Sequence, residues 1–125
     1  MAAALTHEIR AKWPSQPSII IVEPESAACL KESVDAKQIT TVYGPSSNMG
    51  RLDCKTPSLL AYEVLKQDAD RFVIISDEVA KAAAANLRQF GITTTASGAA
   101  GYAAMRDIIL PQDANSLVIV TEGEV

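Results

Sequence analysis

The sequence predicts an α/β fold, a three-layer α/β/α sandwich on a mostly parallel sheet. Two patterns carry that prediction. Short β-branched runs alternate with helix-forming segments along the whole chain, the order that right-handed strand–helix–strand crossovers require. One run, Ile19–Ile20–Ile21–Val22, is four consecutive β-branched apolar residues without polar alternation, which marks a strand buried on both faces as in a parallel sheet. Composition sets the scale. A chain of 125 residues, 48% apolar and 21% charged, suits one small globular domain, residues 1–125, with no repeat or low-complexity tract.

Ala2 to Trp13 has helix-forming composition, with Leu5, Ile9 and Trp13 recurring every four positions as an apolar face, and stops at Pro14. Ser18 to Glu23 is the first strand, ended by Pro24. Glu25 and Ser26 open a helix to about Val34, and Ile39 to Tyr43 is a second β-rich run. A loop rich in Gly, Pro, Ser and Asn follows, Gly44 to Pro57. At about fourteen residues it is longer than most connections in compact domains, and such loops are often functional. Ser58 to Lys66 is an amphipathic helix with Leu59, Tyr62 and Leu65 near its face. Phe72 to Ile75 is a third strand. Asp77 is a candidate N-cap for an Ala-rich helix that runs to about Phe90 and stops at Gly91. Ile92 to Thr95 is a short strand, Ser97 a candidate cap for a helix from Ala99 to Ile109, and Ser116 to Val120 the final strand.

Several function classes are excluded. Net charge is −4, from 11 basic and 15 acidic residues, and no basic patch stands out, so neither nucleic acid nor an anionic membrane surface is an expected partner. The longest aliphatic run is far too short to span a bilayer, and no signal peptide is readable. Cys29 and Cys54 have no metal-type spacing, and with one His a zinc site is not expected. They read as reduced thiols of a cytoplasmic protein. There is no Gly-x-Gly-x-x-Gly, Walker loop or Gly-x-Ser-x-Gly.

Ligands of open α/β sheets bind beyond the C-terminal ends of the strands. Four such ends are polar or small here: Glu23–Pro24, Ser76–Asp77, Ser97–Gly98 and Thr121–Glu122–Gly123. Ser97–Gly98 is the best site candidate. Glycine lets backbone approach a ligand, and a helix N-terminus offers free N–H groups to an anion or an electron-rich ring atom. The same dipeptide also serves as simple capping. Thr121–Glu122–Gly123 places a hydroxyl or a carboxylate at the sheet edge, or is simply a turn. Asp53, Cys54, Lys55, Thr56 and Ser58 crowd the long loop, and a thiol beside Lys55 is open to activation by the cation.

Several segments together resemble pyridoxal-phosphate (PLP) enzymes of the tryptophan-synthase-β type, and among them the diaminopropionate ammonia-lyases. Ile21–Val22–Glu23–Pro24–Glu25–Ser26–Ala27 resembles that family's strand and "VEP" turn. Gly50 to Ser58 resembles its G-L-x-C-G-x-P-S segment, and Tyr62–Glu63 its aromatic–Glu pair. Ser97–Gly98–Ala99–Ala100–Gly101 matches S-G-A-A-G, and Thr121–Glu122–Gly123–Glu124 resembles T-E-G-D. The resemblance implies a PLP cofactor joined to a lysine as a Schiff base, an amino-acid substrate, and α,β-elimination giving pyruvate and ammonia. It implies that Ser97, Gly98, Thr121, Glu122 and Gly123 lie near the cofactor ring, and that Asp53, Cys54, Thr56 and Ser58 approach the substrate.

The departures from that family shape the expectation. Lys12, Lys31, Lys37, Lys55, Lys66 and Lys81 do not sit in the Schiff-base motif, and the glycine-rich phosphate loop belongs just before Met1. Ala96 stands where the ammonia-lyases have Glu, and Lys55 replaces a Gly. A complete enzyme of this type is roughly two to three times longer. The leading reading is therefore the C-terminal portion of a PLP-dependent ammonia-lyase, inactive alone and lacking an N-terminal half, with no catalytic residue of its own. The alternative is a non-catalytic α/β module that self-associates or binds a partner. A minimal PLP catalyst using Lys55 ranks third.

Overall fold

Two parallel strands, β1 (Ile20–Pro24) and β2 (Arg71–Ile75), pair in the register Ile20↔Arg71 to Pro24↔Ile75 in the computed structural model, which describes residues 1–123. Glu124, which closes the T-E-G-D resemblance, lies outside the described residues. Before β1 comes α1 (Ala2–Lys12). Between the strands run a 3-10 turn at Glu25–Ala27, α2 (Cys29–Asp35) and α3 (Leu59–Asp68). After β2 come α4 (Asp77–Arg88) and α5 (Ala96–Asp107). α2 and α5 each pack on both strands, α4 packs on α5, and α3 packs on α1 and α2. The fold is mixed α/β with a parallel sheet, as the sequence predicts.

The main core lies between α4, α5 and β2. It is built from Ile75, Ala80, Ala83, Leu87, Ala99, Ala100, Ala103 and Ala104, together with Met49 from the long loop. Alanine dominates on both helices, so their backbones approach closely. Tyr102 of α5 donates to Asn86 Oδ1 of α4 at 2.6 Å, which fixes the helix pair along its length.

Three expected strands do not join the sheet among the described residues. In Ile39–Tyr43, Val42 N donates to Lys55 O at 2.8 Å, so the segment is pinned to the far limb of the loop, and Tyr43 is left exposed. Ile92 N donates to Leu87 O, which closes the end of α4 instead of opening a strand. Ser116–Val120 keeps the alternation of a strand, with Val118 and Val120 half-buried and Leu117 and Ile119 exposed, but makes no backbone hydrogen bond among the described residues. β-branched composition favours an extended chain, while ladder formation depends on a neighbour.

Helix starts also differ. Ser76, not Asp77, caps α4, accepting from Val79 N. Thr95, not Ser97, caps α5, which begins three residues earlier than expected. α1 turns Thr6 inward and leaves Leu5 and Trp13 partly exposed. Its rotation follows Arg10, one turn on from Thr6. The Arg10 guanidinium donates to Asp68 O, Pro17 O and the Asp70 carboxylate at 2.6–2.9 Å, tying α1 to the start of β2.

Candidate functional site

The loop 44–57 lies across the C-terminal ends of β1 and β2, held by contacts that the sequence pattern does not announce. Asp77, just after β2, accepts from Ser47 Oγ at 2.5 Å and from Asn48 N at 2.7 Å. The Asn48 N–H, and then the Ser47 hydroxyl, hold the Asp77 carboxyl below its ordinary value. Met49, beside this anchor, is fully buried in the core.

From Met49 the chain turns toward the N-terminus of α5. Arg51 N donates to Ser97 Oγ at 3.2 Å, and the Arg51 guanidinium forms an ion pair with the Glu122 carboxylate. Arg51 is 72% exposed against 16% for Glu122, so the pair itself contributes about 1 kcal/mol or less. Glu122 is held from two further directions. Thr95 Oγ1 donates to its carboxylate, and Thr94 Oγ1 donates to its backbone carbonyl. Thr95 Oγ1 also accepts from Gly98 N at 3.2 Å as the α5 cap.

Gly98 is the tightest point of this cluster. A Cβ added there would lie 2.2 Å from Thr94 Oγ1 and 3.1 Å from both Cγ and the carbonyl oxygen of Glu122. Only glycine lets α5 begin against the 121–123 segment. Gly123 lies beside Thr93, with an added Cβ 3.8 Å from the Thr93 carbonyl. Ser97 is buried and Thr121 exposed.

Ser97, Gly98, Glu122 and Gly123 are thus brought together, with Thr121 adjacent in the chain. The loop residues spread further. Asp53 accepts from Lys55 Nζ at 2.6 Å. Cys54 is exposed, Thr56 Oγ1 pairs with Thr41 Oγ1 at 2.8 Å, and Ser58 caps α3 by accepting from Ala61 N. No hydrogen bond among the described residues links Cys54, Thr56 or Ser58 to the Ser97–Glu122 cluster.

Sequence reasoning missed Arg51, Thr94 and Thr95. A signal for Thr95 was present, since Thr preceding a small-residue helix is an ordinary N-cap. It also missed the pairing of Glu23 with Cys29 at the end of β1. The buried Glu23 carboxylate accepts from Leu30 N at 2.8 Å and Lys31 N at 2.9 Å. Burial pushes its carboxyl up, against the lowering effect of those hydrogen bonds. Burial first, and then the Glu23 charge, push the Cys29 thiol up to about 11.

Among the described residues no group of three His, Cys, Asp or Glu is placed to hold a metal ion, and no helix is long and apolar enough to cross a membrane.

Comparison with known proteins points one way. A family model described as "Pyridoxal-phosphate dependent enzyme" matches residues 1–122. The diaminopropionate ammonia-lyase of Escherichia coli (strain K12) is 32% identical over an alignment covering 89% of this chain and 33% of that protein. The chain therefore spans about a third of the length of the curated relatives it matches. Among solved structures, a threonine deaminase from T.th. superposes with a TM-score of 0.77 at 22% identity, over 85% of this chain and 36% of that one. Maize serine racemase superposes with a TM-score of 0.75 at 22% identity, over 82% of this chain and 31% of that one.

Proposed function

The chain belongs to the pyridoxal-phosphate dependent enzyme family, and from that premise we propose that it is the C-terminal part of an amino-acid ammonia-lyase of the diaminopropionate type. It contributes one wall of a cofactor site and a substrate loop, and is inactive alone. The observation that carries this reading is the convergence of Ser97, Gly98 and Glu122 with the loop 44–57 at the C-terminal end of the parallel sheet.

The residues fit one edge of PLP. Ser97 Oγ accepts from Arg51 N and keeps its own proton to donate, and the Thr121 hydroxyl is exposed beside it in the same wall. Either hydroxyl suits a ring nitrogen. Glu122 already accepts from Thr95 and pairs with Arg51, so its part is to position the wall. Asp53, Cys54, Thr56 and Ser58 are assigned to the substrate side.

The fit does not extend to the whole cofactor. Lys12, Lys31 and Lys66 are paired with Glu8, Asp35 and Glu63, and Lys55 is enclosed by three oxygens. No lysine of this chain is assigned to the cofactor, and no catalytic step is assigned to this chain. In the complete enzyme PLP supplies an electron sink at the substrate's α-carbon, and the proposed reaction is α,β-elimination to pyruvate and ammonia.

The test is a PLP titration of the purified chain by visible absorbance, followed by borohydride reduction and mass mapping. The expected result is no single reduced lysine. One specifically trapped lysine, above all Lys55, overturns the assignment. In a full-length chain carrying this segment, Ser97→Ala weakens PLP binding, and unchanged affinity removes Ser97 from the site.

A second reading is favoured by one observation. Ile74, Leu117 and Ile119 are exposed, and Ser116–Val120 makes no backbone hydrogen bond among the described residues, which suits an interaction module. Sedimentation separates the two, since a monomer at high concentration counts against self-association.

A further inference from the structure

The loop 44–57 and the wall formed by residues 94–98 and 121–123 carry two acids, Asp53 and Glu122, and two cations, Arg51 and Lys55. They are paired one to one. Lys55 Nζ donates to Asp53 Oδ1 at 2.6 Å, and Arg51 Nε meets Glu122 Oε2. The other Glu122 oxygen accepts from Thr95 Oγ1. Both acids are mostly buried, with side chains 18% and 16% exposed. Asp77 and Glu23, at the ends of the two strands, have both carboxylate oxygens engaged by N–H or O–H donors. Glu25 and Glu78 are exposed and make no hydrogen bond or ion pair with the loop or the wall among the described residues.

The two cations are held where they stand. Arg51 is the third residue of a turn that Leu52 N closes on Met49 O at 2.8 Å, and its own N–H donates to Ser97 Oγ. Lys55 Nζ donates to Ser26 O and Pro45 O as well. A tethered cation competes with a free one at an effective concentration of about a millimolar or more. Both are also departures from the segment this loop resembles. Lys55 replaces a Gly, and Arg51 separates Gly50 from Leu52, which adjoin in G-L-x-C-G-x-P-S. Each departure adds a cation, and each cation cancels an acid of the site.

A substrate with a second ammonium needs a carboxylate free to take it, because an ammonium that leaves water unpaired is strongly disfavoured. We propose that Arg51 and Lys55 are specificity-determining residues. By cancelling Glu122 and Asp53 they turn away an amino acid with a cationic β-substituent and admit one whose β-substituent is uncharged, such as a hydroxyl. The rest of the substrate side, Cys54, Thr56 and Ser58, offers a thiol and two hydroxyls to such a group. The proposal rests on the ammonia-lyase reading, keeps its products and changes the leaving group. A β-hydroxy amino acid loses its Cα proton and breaks its Cβ–O bond, and hydroxide takes up a proton to leave as water. The 2-aminoacrylate then takes up one water and gives pyruvate and one ammonia. Diaminopropionate breaks Cβ–N instead and gives two ammonia for each pyruvate.

The charge cancellation is tested on the 125-residue chain without PLP. The amide NMR signals of Asp53 and Glu122 are titrated with 1,2-diaminoethane. The double variant Arg51→Gln, Lys55→Gln is expected to bind it about tenfold to a hundredfold more tightly than the natural chain, the effect of one hydrogen bond to a charged group. Equal binding overturns the proposal. If the double variant does not fold, Arg51→Gln alone decides by the same comparison at Glu122, since Arg51 is 72% exposed.

The substrate preference is tested on a full-length chain carrying this segment and loaded with PLP. Dissociation constants for serine and 2,3-diaminopropionate are read from the cofactor absorbance, and ammonia is counted per pyruvate. Serine is expected to bind at least about tenfold more tightly, Arg51→Gln to narrow that ratio and Arg51→Lys to keep it. Diaminopropionate binding as tightly as serine overturns the proposal, and so does a ratio that Arg51→Gln leaves unchanged. Bound PLP that neither amino acid perturbs refutes the ammonia-lyase reading itself, and the proposal with it.

Discussion

Gly98→Ala sets two large effects against each other. Gly98 is the third residue of α5, where replacing glycine by alanine favours the helix by up to about 1 kcal/mol. Against this, the new methyl would stand 2.2 Å from Thr94 Oγ1. Thr94 is 1% exposed and its hydroxyl is bonded to Glu122 O, so it cannot swing into solvent. Relieving the overlap means shifting α5 or the 121–123 segment, at about 1–3 kcal/mol for overpacking, and losing the Thr94 bond adds about 1 kcal/mol. The net is a destabilisation of about 1–3 kcal/mol. For a chain of this size that lowers Tm by roughly 3–15 °C. Thermal unfolding followed by circular dichroism, with urea titration for the free energy, reads it. Gly101→Ala is the control in the same helix. Its methyl would meet Val118 Cγ1 at 3.3 Å and Ile119 O at 4.0 Å, on a segment that makes no backbone hydrogen bond among the described residues, so the change is neutral or stabilising. If Gly98→Ala matches Gly101→Ala, helix propensity wins and the steric argument is refuted.

Three other outcomes are expected. Met49→Ala, cutting a fully buried side chain, costs about 2–5 kcal/mol by urea unfolding, and a loss under about 1 kcal/mol would mean that the loop is not docked in the core. Burial raises the folded pKa of Glu23 above its unfolded value, so its linkage favours the folded state at low pH and fades as pH rises through the range just above the ordinary carboxyl value. Glu23→Gln should remove that part of the pH dependence, and identical stability–pH profiles for the two proteins would contradict it. Cys54, exposed, reacts quickly with a disulfide reagent at neutral pH, while Cys29, buried and shifted to about 11, reacts only on unfolding; two fast thiols would contradict that assignment.

What was legible in the sequence was local. The continuous apolar runs at Ile20–Val22 and Phe72–Ile75, the amphipathic pattern from Ser58 to Lys66 and the alanines of α4 and α5 state their own structure. Gly91 marks the end of α4 through its left-handed φ of 78°. What was not legible depends on distant partners. Ile39–Tyr43 has strand composition, but its available partner is Lys55 O. Asp77 looks like a cap, yet its oxygens are used by Ser47 and Asn48, about thirty residues away in sequence. At the site, Ser97 and Gly98 stood out because small residues beside a helix start are a local signal. Arg51 did not, because nothing near it in sequence reveals that Glu122 lies beside it.

The contact between α4 and α5 has a further consequence. Ala80, Ala83, Ala99, Ala100, Ala103 and Ala104 have no side-chain torsions to vary between heavy-atom positions. Longer side chains can absorb a displaced helix by changing rotamer, whereas methyl groups can only touch or separate. The spacing of the two helices therefore behaves as a fixed gauge without an adjustment. Ser97 and Gly98 begin the helix that this gauge positions, and Asp77, which holds the loop, begins the other. The distance between the two halves of the site is set by methyl contacts that take no chemical part in it.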